Sequence, residues 1–505
     1  MAKFSVLFPA SEVTESVKDG LESLRRQSTD DWACYIVPTG SPDAVASLAD
    51  AGASGQIRIA PTGLDTLAKM LNWAANETGA EYVFALPDRI ELAPKALETI
   101  AKVFSSKAKA ACVYASFAEE DTSGNRKEVH LHPHEGAFHE RFDFGYIKVY
   151  RADRLKEIGG FREDLKHAAE YDADLKLTDN YTIELAKQIL YTVSLAPPDP
   201  NEKAAPAGLY SPGKGKLGGF SYVFYPADLE AEVTGVFEQM LKRRGAWIDH
   251  DTVPVKYPKK DYPVLGSVII PVLNRVKFIG NAIERVLEGT FTNFEVIVID
   301  NGSTDGTQDL VRTYIEKDPR VKLIVQKGPS IAYALNTGIR MACGKYICQL
   351  DSDDEYKPDT LEKMIGHFES HPKCGLAISY YELMEENRDP VVGVDPVTHS
   401  GYTRNQILRR DGAGALRVFP KAVLEEMGYY DEENFGNFGE DYDMVLKTGE
   451  KYDVDRVHAV LYRYRRHPDN TDVTRDPIMK VRNKNNARLN ALKRRQKINK
   501  KLKKA

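Results

Sequence analysis

The second half of the chain alternates short apolar runs with stretches whose apolar residues recur at helical spacing. The apolar runs are rich in β-branched side chains and contain few polar ones, as strands buried on both faces do. The expected strands are 267–272, 294–299, 321–325 and 346–350, and the expected helices are 281–288, 307–316 and 331–343. Regular alternation of strand and helix predicts an α/β fold with a mostly parallel central sheet.

A weaker copy of this pattern precedes it. Residues 67–98 resemble residues 331–362 at a constant offset of 264 positions, and residues 149–161 resemble residues 418–430 at an offset of 269. Collinear matches at nearly one offset indicate that one fold occurs twice. Two tandem domains also suit a chain of 505 residues, because one hydrophobic core does not support that length.

The expected organisation has four segments. The first copy occupies residues 1–200 and the second occupies residues 263–475. Residues 201–262 form a linker, in which apolar residues at helical spacing predict a connector helix at 227–244. We expect this helix to pack between the copies. Residues 476–505 form a basic tail.

The composition is that of an ordinary globular protein. Hydrophobic residues make up 42% of the chain and charged residues 28%, which argues against global disorder or a fibrous repeat. No apolar run reaches the roughly 18 residues that a membrane span needs, and the N-terminal sequence lacks the apolar core of a secretory signal. The five cysteines form no C-x-x-C pair and fit buried thiols in a reducing compartment. These features predict a cytoplasmic protein.

Charge is distributed unevenly along the chain. The net charge is −5, yet residues 480–505 contain 12 Lys or Arg and no acidic residue. Three uses fit such a tail: contact with an anionic membrane surface, contact with nucleic-acid phosphates, or a solvated and partly disordered end. The first use would place the protein at the inner face of the membrane.

Acidic residues follow a predicted strand at the edge where parallel sheets bind their ligands. Asp351-Ser352-Asp353 comes directly after the strand at 346–350. Two carboxylates at i and i+2 of a turn can both reach one cation, and Mn²⁺ or Mg²⁺ takes oxygen ligands together with substrate phosphates. An acidic turn standing alone is more often a solvated helix cap.

Two further carboxylates have positions suited to substrate contacts. Asp300 follows the strand at 294–299 and precedes Asn-Gly, so that its carboxylate lies over a tight turn and can accept from a nucleobase imide. Asp441, after Glu440, begins a helix-like run, where it can serve as general base toward an acceptor hydroxyl. A plain turn and a plain N-cap are alternative interpretations.

Histidines raise the question of metal ligands at two places. His467 follows Arg466, and imidazole can complete a metal shell while guanidinium pairs with phosphate. A surface role is the simpler interpretation of this pair when it is considered alone. The first copy contains His130, His132, His134 and His139. Alternating histidines can present one metal-binding face, but a polar loop is the favoured interpretation.

Taken together, these segments resemble a known family. The motifs SVIIPVLNR, VIDNGSTDGT and ALNTGIRMACGKYICQLDSDD, followed by the Glu-Asp pair, are similar in order and spacing to family 2 glycosyltransferases with a GT-A fold. The similarity covers residues 265–470. It implies an α/β chain of two tandem GT-A-like domains with mostly parallel central sheets.

The resemblance assigns roles to the acidic residues. It implies that Asp353 binds Mn²⁺ or Mg²⁺ directly, and that Asp351 approaches the donor ribose or reaches the metal through water. Asp300 is implied to contact uracil, and Asp441 to be the catalytic base. The other implied residues are Pro271, Val272 and Asn274 around the base, Asn336, Ser352 and Arg466 on the donor side, His467 on the metal, and Glu440 and Gly414 on the acceptor side. Because Leu335 stands where the family often has arginine, we expect Lys327, Arg465 or Arg466 to contact the diphosphate.

The first copy departs further from the family. The turn at 87–89 takes the place of the acidic triplet and ends in Arg89, which would repel a cation. Asp172 falls on Asp441 at the offset of 269, with Tyr171 in place of the preceding glutamate. We therefore expect a pseudo-glycosyltransferase domain that docks the acceptor or builds a dimer surface. A second, metal-independent transferase is the competing interpretation.

The predicted function is inverting, metal-dependent transfer of a hexosyl or N-acetylhexosaminyl group from a nucleotide-sugar to an acceptor hydroxyl. A UDP-sugar is the expected donor, and a glycan, lipid-linked or protein acceptor fits surface polysaccharide or glycoconjugate synthesis. A homo-oligomer is a further expected partner. Two alternatives stay open at this point: a non-catalytic scaffold of a glycan assembly complex, and a transferase that acts on modified nucleic acid.

Overall fold

The computed structural model divides the chain into two compact units. The described residues are 2–50, 55–195, 225–398, 402–410 and 414–504. Within them, the first unit comprises residues up to 195 together with 225–244, and the second comprises residues 245–504. The stretch rich in Pro, Gly and Lys at 196–219, where we expect a linker, lies outside the described residues.

The first unit is a sheet with helices around it. Its strands are β1 Phe4–Ala10, β2 Trp32–Pro38, β3 Ile57–Ile59, β4 Tyr82–Ala85, β5 Ile90–Leu92, β6 Ala110–Glu120, β7 Arg126–Val129, β8 Lys148–Arg151 and β9 Thr182–Ser194. Its helices are α1 Glu15–Arg25, α2 Pro42–Asp50, α3 Leu67–Glu77, α4 Ala96–Ser106, α5 Ala152–Glu157, α6 Ala169–Leu177 and α7 Ala227–Arg243. Strands β3, β2, β1 and β4 are parallel neighbours, and β8 joins them to β6 in the antiparallel sense.

The second unit repeats the plan. Its strands are β10 Val264–Val272, β11 Phe294–Asp300, β12 Val321–Val325, β13 Gly344–Gln349, β14 Glu355–Tyr356, β15 Cys374–Glu385, β16 Arg417–Pro420 and β17 Asp453–Arg466. Its α-helices are α8 Ile279–Leu287, α9 Thr307–Lys317, α10 Ile331–Met341, α11 Thr360–Ser370, α12 Lys421–Met427, α13 Glu440–Gly449, α14 Thr471–Thr474 and α15 Pro477–Leu502, and a short 3₁₀ turn spans Gln406–Leu408. Each element expected between 267 and 350 is present, with shifts of a few residues at its ends.

The two sheets have the same strand order. The first runs β3-β2-β1-β4-β8-β6-β9-β5, with β7 added at β6, and the second runs β12-β11-β10-β13-β16-β15-β17-β14. Strands β10 and β11 are buried on both faces because helices cover both sides of the sheet, which explains their nearly continuous apolar sequences. The predicted α/β class, with one fold occurring twice in tandem, is confirmed.

An asparagine makes the same hydrogen bonds with the backbone in both units. In the first, Asn72 donates to the backbone oxygen of Phe161 over 2.9 Å and accepts from the same residue's N–H over 2.8 Å. In the second, Asn336 exchanges hydrogen bonds of 2.9 Å in both directions with Tyr430. These two pairs reproduce the offsets of 264 and 269 in three dimensions.

Beyond this point the expected correspondence between the copies is wrong by two residues. The segment from Tyr430 to the start of α13 is two residues longer than the segment from Phe161 to the start of α6. Asp443 in α13 and Asp172 in α6 are therefore equivalent, and each forms an ion pair of 2.7 Å with a lysine one turn later. The first-unit residue that corresponds to Asp441 is Glu170, not Asp172.

The connector helix α7 belongs to the first unit. The carboxylate of Glu232 accepts the backbone N–H groups of Lys166, His167 and Ala168 over 2.7 to 3.0 Å, directly before α6 begins. Acceptance of these otherwise unpaired donors by a carboxylate stabilises the start of a helix. The expectation that α7 packs between the two copies stays a prediction.

The basic tail is a packed helix rather than a solvated and partly disordered end. One face of α15 lies against α13: Arg494 donates to Glu450 over 2.9 Å and to Asp443 over 3.1 Å. Arg488 donates to the backbone oxygen of Leu408 over 2.8 Å. Among the described residues, no helix has the length and apolar character needed to cross a bilayer.

Candidate active site

Strand β11 ends in a carboxylate of which one oxygen has no hydrogen-bond partner among the described residues. Asp300 is fully buried, and its Oδ1 accepts the backbone N–H groups of Gly302 and Ser303 and the amide of Gln308, each over 2.9 Å. Gly302 has a positive φ of 97°, which the Asn-Gly turn requires. The Oδ2 atom of Asp300 is buried and has no hydrogen-bond partner among the described residues. One acceptor is therefore available at this strand end.

The loop after β10 joins this turn to the acidic triplet. Asn274 adopts a positive φ of 53°, and its Oδ1 accepts the backbone N–H of Thr304 over 2.9 Å. The next residue, Arg275, places its Nε atom 3.7 Å from Oδ2 of Asp353. The turn of Asp300 and the carboxylate of Asp353 therefore lie on either side of one short loop. Pro271 and Val272 end β10 immediately before it.

Asp353 meets His467 at the end of β17. The Nε2 atom of His467 lies 2.9 Å from Oδ2 of Asp353, and its Nδ1 atom is buried with no partner among the described residues. The imidazole ring packs against Phe278, with a centroid distance of 4.8 Å. The structure thus brings together two residues that are 114 positions apart, and the family resemblance implies that both bind the same metal.

Asp351 lies in an environment that disfavours its charge. Burial, and after it the nearby Asp353 carboxylate, raises the pKa of Asp351 to about 7, although Arg417 acts in the opposite direction. Ser352, between the two acids, is buried. A turn with two mutually repelling carboxylates is the arrangement that a divalent cation stabilises.

The predicted base is ion-paired at the start of α13. The Oδ2 atom of Asp441 accepts from Arg417 of β16 over 2.6 Å, and Oδ1 accepts the backbone N–H of Tyr442 over 2.7 Å. Burial and the adjacent Asp441 raise the pKa of Glu440, whose Oε2 has no partner among the described residues. Gly414 is buried a few residues before β16. Asp441 and Asp353 both add to the electrostatic field at Asp351, so the two are placed around the same acid.

Two of the residues expected to contact the donor already use their side chains for hydrogen bonds within the protein. Asn336 is buried, and its side chain is occupied by the backbone of Tyr430 and by Glu432, so it holds the chain that leads to α13 and does not face the donor. Arg465 is buried and donates to the backbone oxygen of Asp353 over 2.6 Å and to Glu355 over 2.8 Å. A guanidinium engaged in this way is not available to a diphosphate.

The other two candidates for the diphosphate have different positions. Lys327 is exposed and its stem passes the turn after Asp300, where a Cβ on Gly302 would lie 3.4 Å from its Cγ. Arg466 ends β17 with its guanidinium over the ring of Tyr464. Both therefore remain predictions as diphosphate contacts.

Two arginines of the site escaped the sequence analysis. Arg275 lies beside Asp353, and Arg417 lies beside Asp441. The signal for Arg275 was its position directly after Asn274 at a strand end, where a cation can reach a phosphate. The signal for Arg417 was the cation Lys148 at the equivalent position of the first copy, since the two residues are separated by the same offset of 269.

The first unit keeps part of this arrangement. Lys148 lies 3.0 Å from Glu170, the counterpart of Asp441. Both residues line a cavity of about 280 Å³ together with Pro9 and Tyr146. Arg89, which replaces Asp353, has a positive φ of 62°. The first unit therefore retains an ion pair at the base position and lacks the carboxylate of the metal position.

The histidines of the first unit do not form a metal-binding face. His134 is buried against Phe142 and Phe144, and burial lowers its pKa to about 3. The backbone oxygen of His132 accepts from Tyr114. In the described part of the chain, none of these histidines belongs to a cluster of possible metal ligands. The polar-loop interpretation had missed the aromatic packing of His134.

Part of this chain is similar in sequence to known proteins. Residues 267–427 match the family model described as glycosyl transferase family 2. Chondroitin synthase of Escherichia coli is 31% identical over 216 residues, which cover 43% of this chain and 31% of that protein. The putative teichuronic acid biosynthesis glycosyltransferase TuaG of Bacillus subtilis is 34% identical over 157 residues, which cover 30% of this chain and 61% of that protein.

A solved structure of S. aureus TarS in complex with UDP-GlcNAc is 18% identical and covers 42% of this chain and 61% of that chain, with a TM-score of 0.35. The chain spans less than two thirds of the length of each of these three proteins. The matched region includes β10 to β13, with Asp300, Asp351 and Asp353 at their ends. Residues 267–427, in the second unit, are therefore similar to glycosyl transferase family 2.

Proposed function

We propose that the second unit transfers a hexosyl or N-acetylhexosaminyl group from a UDP-sugar to an acceptor hydroxyl, with inversion and with a divalent metal. The observation that carries this proposal is the shared position of the acids. Asp300, Asp353 and Asp441 lie at the ends of β11 and β13 and at the start of α13, connected through Arg275, Asp351 and Arg417. Ligands of parallel sheets bind at this edge.

The unpaired oxygen of Asp300 supports recognition of uracil. A buried acceptor without a donor costs about 1–3 kcal/mol, and a ligand N–H recovers that cost on binding. The imide N–H of uracil is such a donor. Cytosine presents an acceptor at the same position, so this contact also favours uracil over cytosine.

The residues around Asp353 fit a Mn²⁺ or Mg²⁺ ion. Adjacent ligands of an octahedral ion at about 2.1 Å lie about 3 Å apart, and His467 Nε2 and Asp353 Oδ2 are 2.9 Å apart. Asp353 and His467 would hold the ion, with Asp351 reaching it directly or through water. When bound, the ion neutralises the departing diphosphate. Arg275 lies next to these residues and supplies a further cation for the same phosphates.

Asp441 and Arg417 are proposed to act on the acceptor. The carboxylate of Asp441 takes the proton from the acceptor hydroxyl while that oxygen attacks the anomeric carbon from the face opposite the diphosphate. Arg417 holds the Asp441 carboxylate in place through its contact of 2.6 Å. A single displacement with one base inverts the anomeric configuration. Gly414 and Glu440 are proposed to border the acceptor.

A polysaccharide acceptor is the class we propose. The names of two relatives, chondroitin synthase and a teichuronic acid glycosyltransferase, concern surface polysaccharides. The first unit is proposed to be non-catalytic, because Arg89 occupies the position of the metal-binding Asp353. Its cavity and its Lys148–Glu170 pair are compatible with a role in holding the acceptor chain.

Nucleotide binding tests the donor proposal. We expect UDP and UDP-sugars to raise the melting temperature of the full chain more than CDP or ADP do. Asp300→Asn keeps an oxygen for the turn but places an NH₂ group where Oδ2 was, opposite the imide N–H. We expect UDP affinity to fall by about 5- to 150-fold, since an unsatisfied pair costs about 1–3 kcal/mol.

The matched control for this measurement is Asp309→Asn on the outer face of α9, where the carboxylate is exposed and pairs with Arg312. This variant should bind UDP as the unmodified chain does. Unchanged UDP affinity in Asp300→Asn, or the absence of nucleotide binding by the unmodified chain, would refute the proposed donor site.

We further propose that the end of α15 contacts anionic lipid. Its outer side carries Lys497, Lys500, Lys501 and Lys504, all of them exposed. Basic residues near an anionic surface contribute about 1 kcal/mol each. Because the inner side of α15 packs on α13, the contact would use the lysines alone, without removing the helix from the domain.

Charge reversal tests this proposal better than deletion, which would uncover α13. Changing these four lysines to glutamate should abolish co-flotation with phosphatidylglycerol vesicles at low salt, whereas vesicles of phosphatidylcholine should bind neither form. The matched control reverses four exposed lysines elsewhere in the unit, Lys256, Lys259, Lys317 and Lys373. Equal loss of flotation in both variants would reduce the effect to net charge and contradict a specific role for α15.

A further inference from the structure

A second cluster of metal-ligating side chains lies outside the proposed active site. His367 is near the end of α11, Cys374 begins β15, and Asp455 is near the start of β17. Neighbouring strands β15 and β17 are parallel, with Ala377 opposite Asp455. The cluster therefore lies where these two strands begin, whereas His467 and the proposed metal position follow the end of β17.

The three side chains already point at one another. One ligand atom of each lies within 4.8 Å of the other two, and His367 Nε2 is 3.0 Å from Asp455 Oδ2. Ligands of a tetrahedral zinc ion at about 2.0–2.3 Å are about 3.3–3.8 Å apart. Small side-chain movements therefore suffice to surround an ion. Cys374 is fully buried, while the side chains of His367 and Asp455 are 15% and 28% exposed, which leaves an entry path.

His371 lies beside the cluster. Its ring stacks on that of His367, with a centroid distance of 3.9 Å and an interplanar angle of 13°. Its Nδ1 atom donates to the backbone oxygen of His367 over 2.8 Å, so Nε2 is the ring atom that could bind a metal. A hydrogen bond of this kind is the usual orienting contact of a histidine ligand.

The first unit shows that the fold does not need these side chains. By sheet register and helix ends, His367 corresponds to Val103, Cys374 to Ala110 and Asp455 to Glu184. His371 corresponds to Lys107, and these two residues share nearly the same backbone angles at the end of their helices. The same backbone corner thus carries valine, alanine and glutamate in the first unit, and imidazole, thiol and aspartate in the second.

We propose that His367, Cys374 and Asp455 bind a zinc ion, with His371 or water in the fourth position. Sulfur, imidazole nitrogen and carboxylate oxygen together suit zinc better than the hard ions proposed for Asp353. Binding replaces the proton of the Cys374 thiol, which passes to solvent, by a sulfur–zinc bond.

The proposed ion would stabilise the fold as a structural metal site and would not form a second reaction centre. The ion would join the end of α11 to the first residues of β15 and β17, in addition to the pairing of the two strands and the His367–Asp455 contact. Strand β17 carries Arg465 and leads to His467, so fixing its beginning also fixes the strand that ends at the proposed active site.

Cobalt substitution tests this proposal in the full chain. We expect the metal-stripped protein to bind Co²⁺ with a sulfur-to-cobalt charge-transfer band and a tetrahedral visible spectrum. Cys374→Ala and His367→Val, the residues that the first unit carries, should weaken Zn²⁺ binding by at least about 100-fold. Circular dichroism and a melting curve establish that both variants fold.

Two controls separate this site from others. Cys343→Ala removes the exposed cysteine of the same unit, and Asp353→Asn removes the proposed catalytic ligand, and both should keep the charge-transfer band and the bound Zn²⁺. The proposal is overturned if the unmodified chain gives no charge-transfer band, or if folded Cys374→Ala keeps the spectrum and the zinc stoichiometry. Loss of the band in Asp353→Asn would likewise contradict a site separate from the catalytic one.

Discussion

Asp353→Asn is expected to reduce sugar transfer by at least about 10³-fold, because metal stabilisation of a departing diphosphate contributes several kcal/mol. The substitution keeps the shape of the side chain and removes the charge. Its contact with His467 at 2.9 Å can persist through the amide oxygen, so the fold should be unaffected. The measurement is kcat with saturating UDP-sugar and Mn²⁺, together with the affinity for Mn²⁺, which should fall in parallel.

The matched control for this variant lies in the first unit. Asp88 is the acid in the turn at 87–89 and lines the cavity of that unit. If the first unit is a pseudo-domain, Asp88→Asn leaves the rate unchanged. Activity that survives in Asp353→Asn and disappears in the double variant would instead favour a second, metal-independent transferase.

The fold could be predicted from the sequence because its strands are apolar on both faces. Continuous β-branched runs separated by helical spacing leave few alternatives to a parallel sheet covered on both sides. The repeat at offsets of 264 and 269 then gives the second copy. It fails at Glu170, because two additional residues before α13 shift the register and a sequence match without gaps assigns Asp172 to Asp441. The starts of the two helices and the ion pairs of Lys148 and Arg417 reveal the equivalent carboxylates.

The sequence predicts which residues lie near the site, but it does not predict the hydrogen-bond partners of their side chains. A motif places Asn336 near the site. The sequence does not reveal that its amide nitrogen donates to Tyr430 and Glu432 and that its amide oxygen accepts from Tyr430. Arg465 and Arg466 are adjacent in a strand, where successive side chains point to opposite faces, so one is buried and the other is not. Likewise, the sequence does not reveal that Oδ1 of Asp300 accepts all the nearby hydrogen bonds and that Oδ2 accepts none from the described residues.

The tail shows how composition can mislead. A segment with 12 basic residues and no acid suggests solvated chain, but its buried face consists of Lys, Asn, Ala and Arg at helical spacing. Arg495 donates to the side chain of Asn405, and Arg494 forms an ion pair with Glu450, so both cations find partners far away in the sequence.

Asp441→Asn tests the division of labour between the two units. A positioned base contributes about 10²–10⁴-fold, so kcat should fall by that factor. UDP affinity should be unchanged, because Asp441 is held by Arg417 and not by the turn of Asp300.

The matched control is Glu170→Gln, which removes the equivalent carboxylate beside Lys148. If the first unit only holds the acceptor, Glu170→Gln raises the KM for the acceptor and leaves kcat unchanged. Near-native turnover in Asp441→Asn would remove it from the role of base, and a fall in kcat for Glu170→Gln would make the first unit a participant in the chemistry.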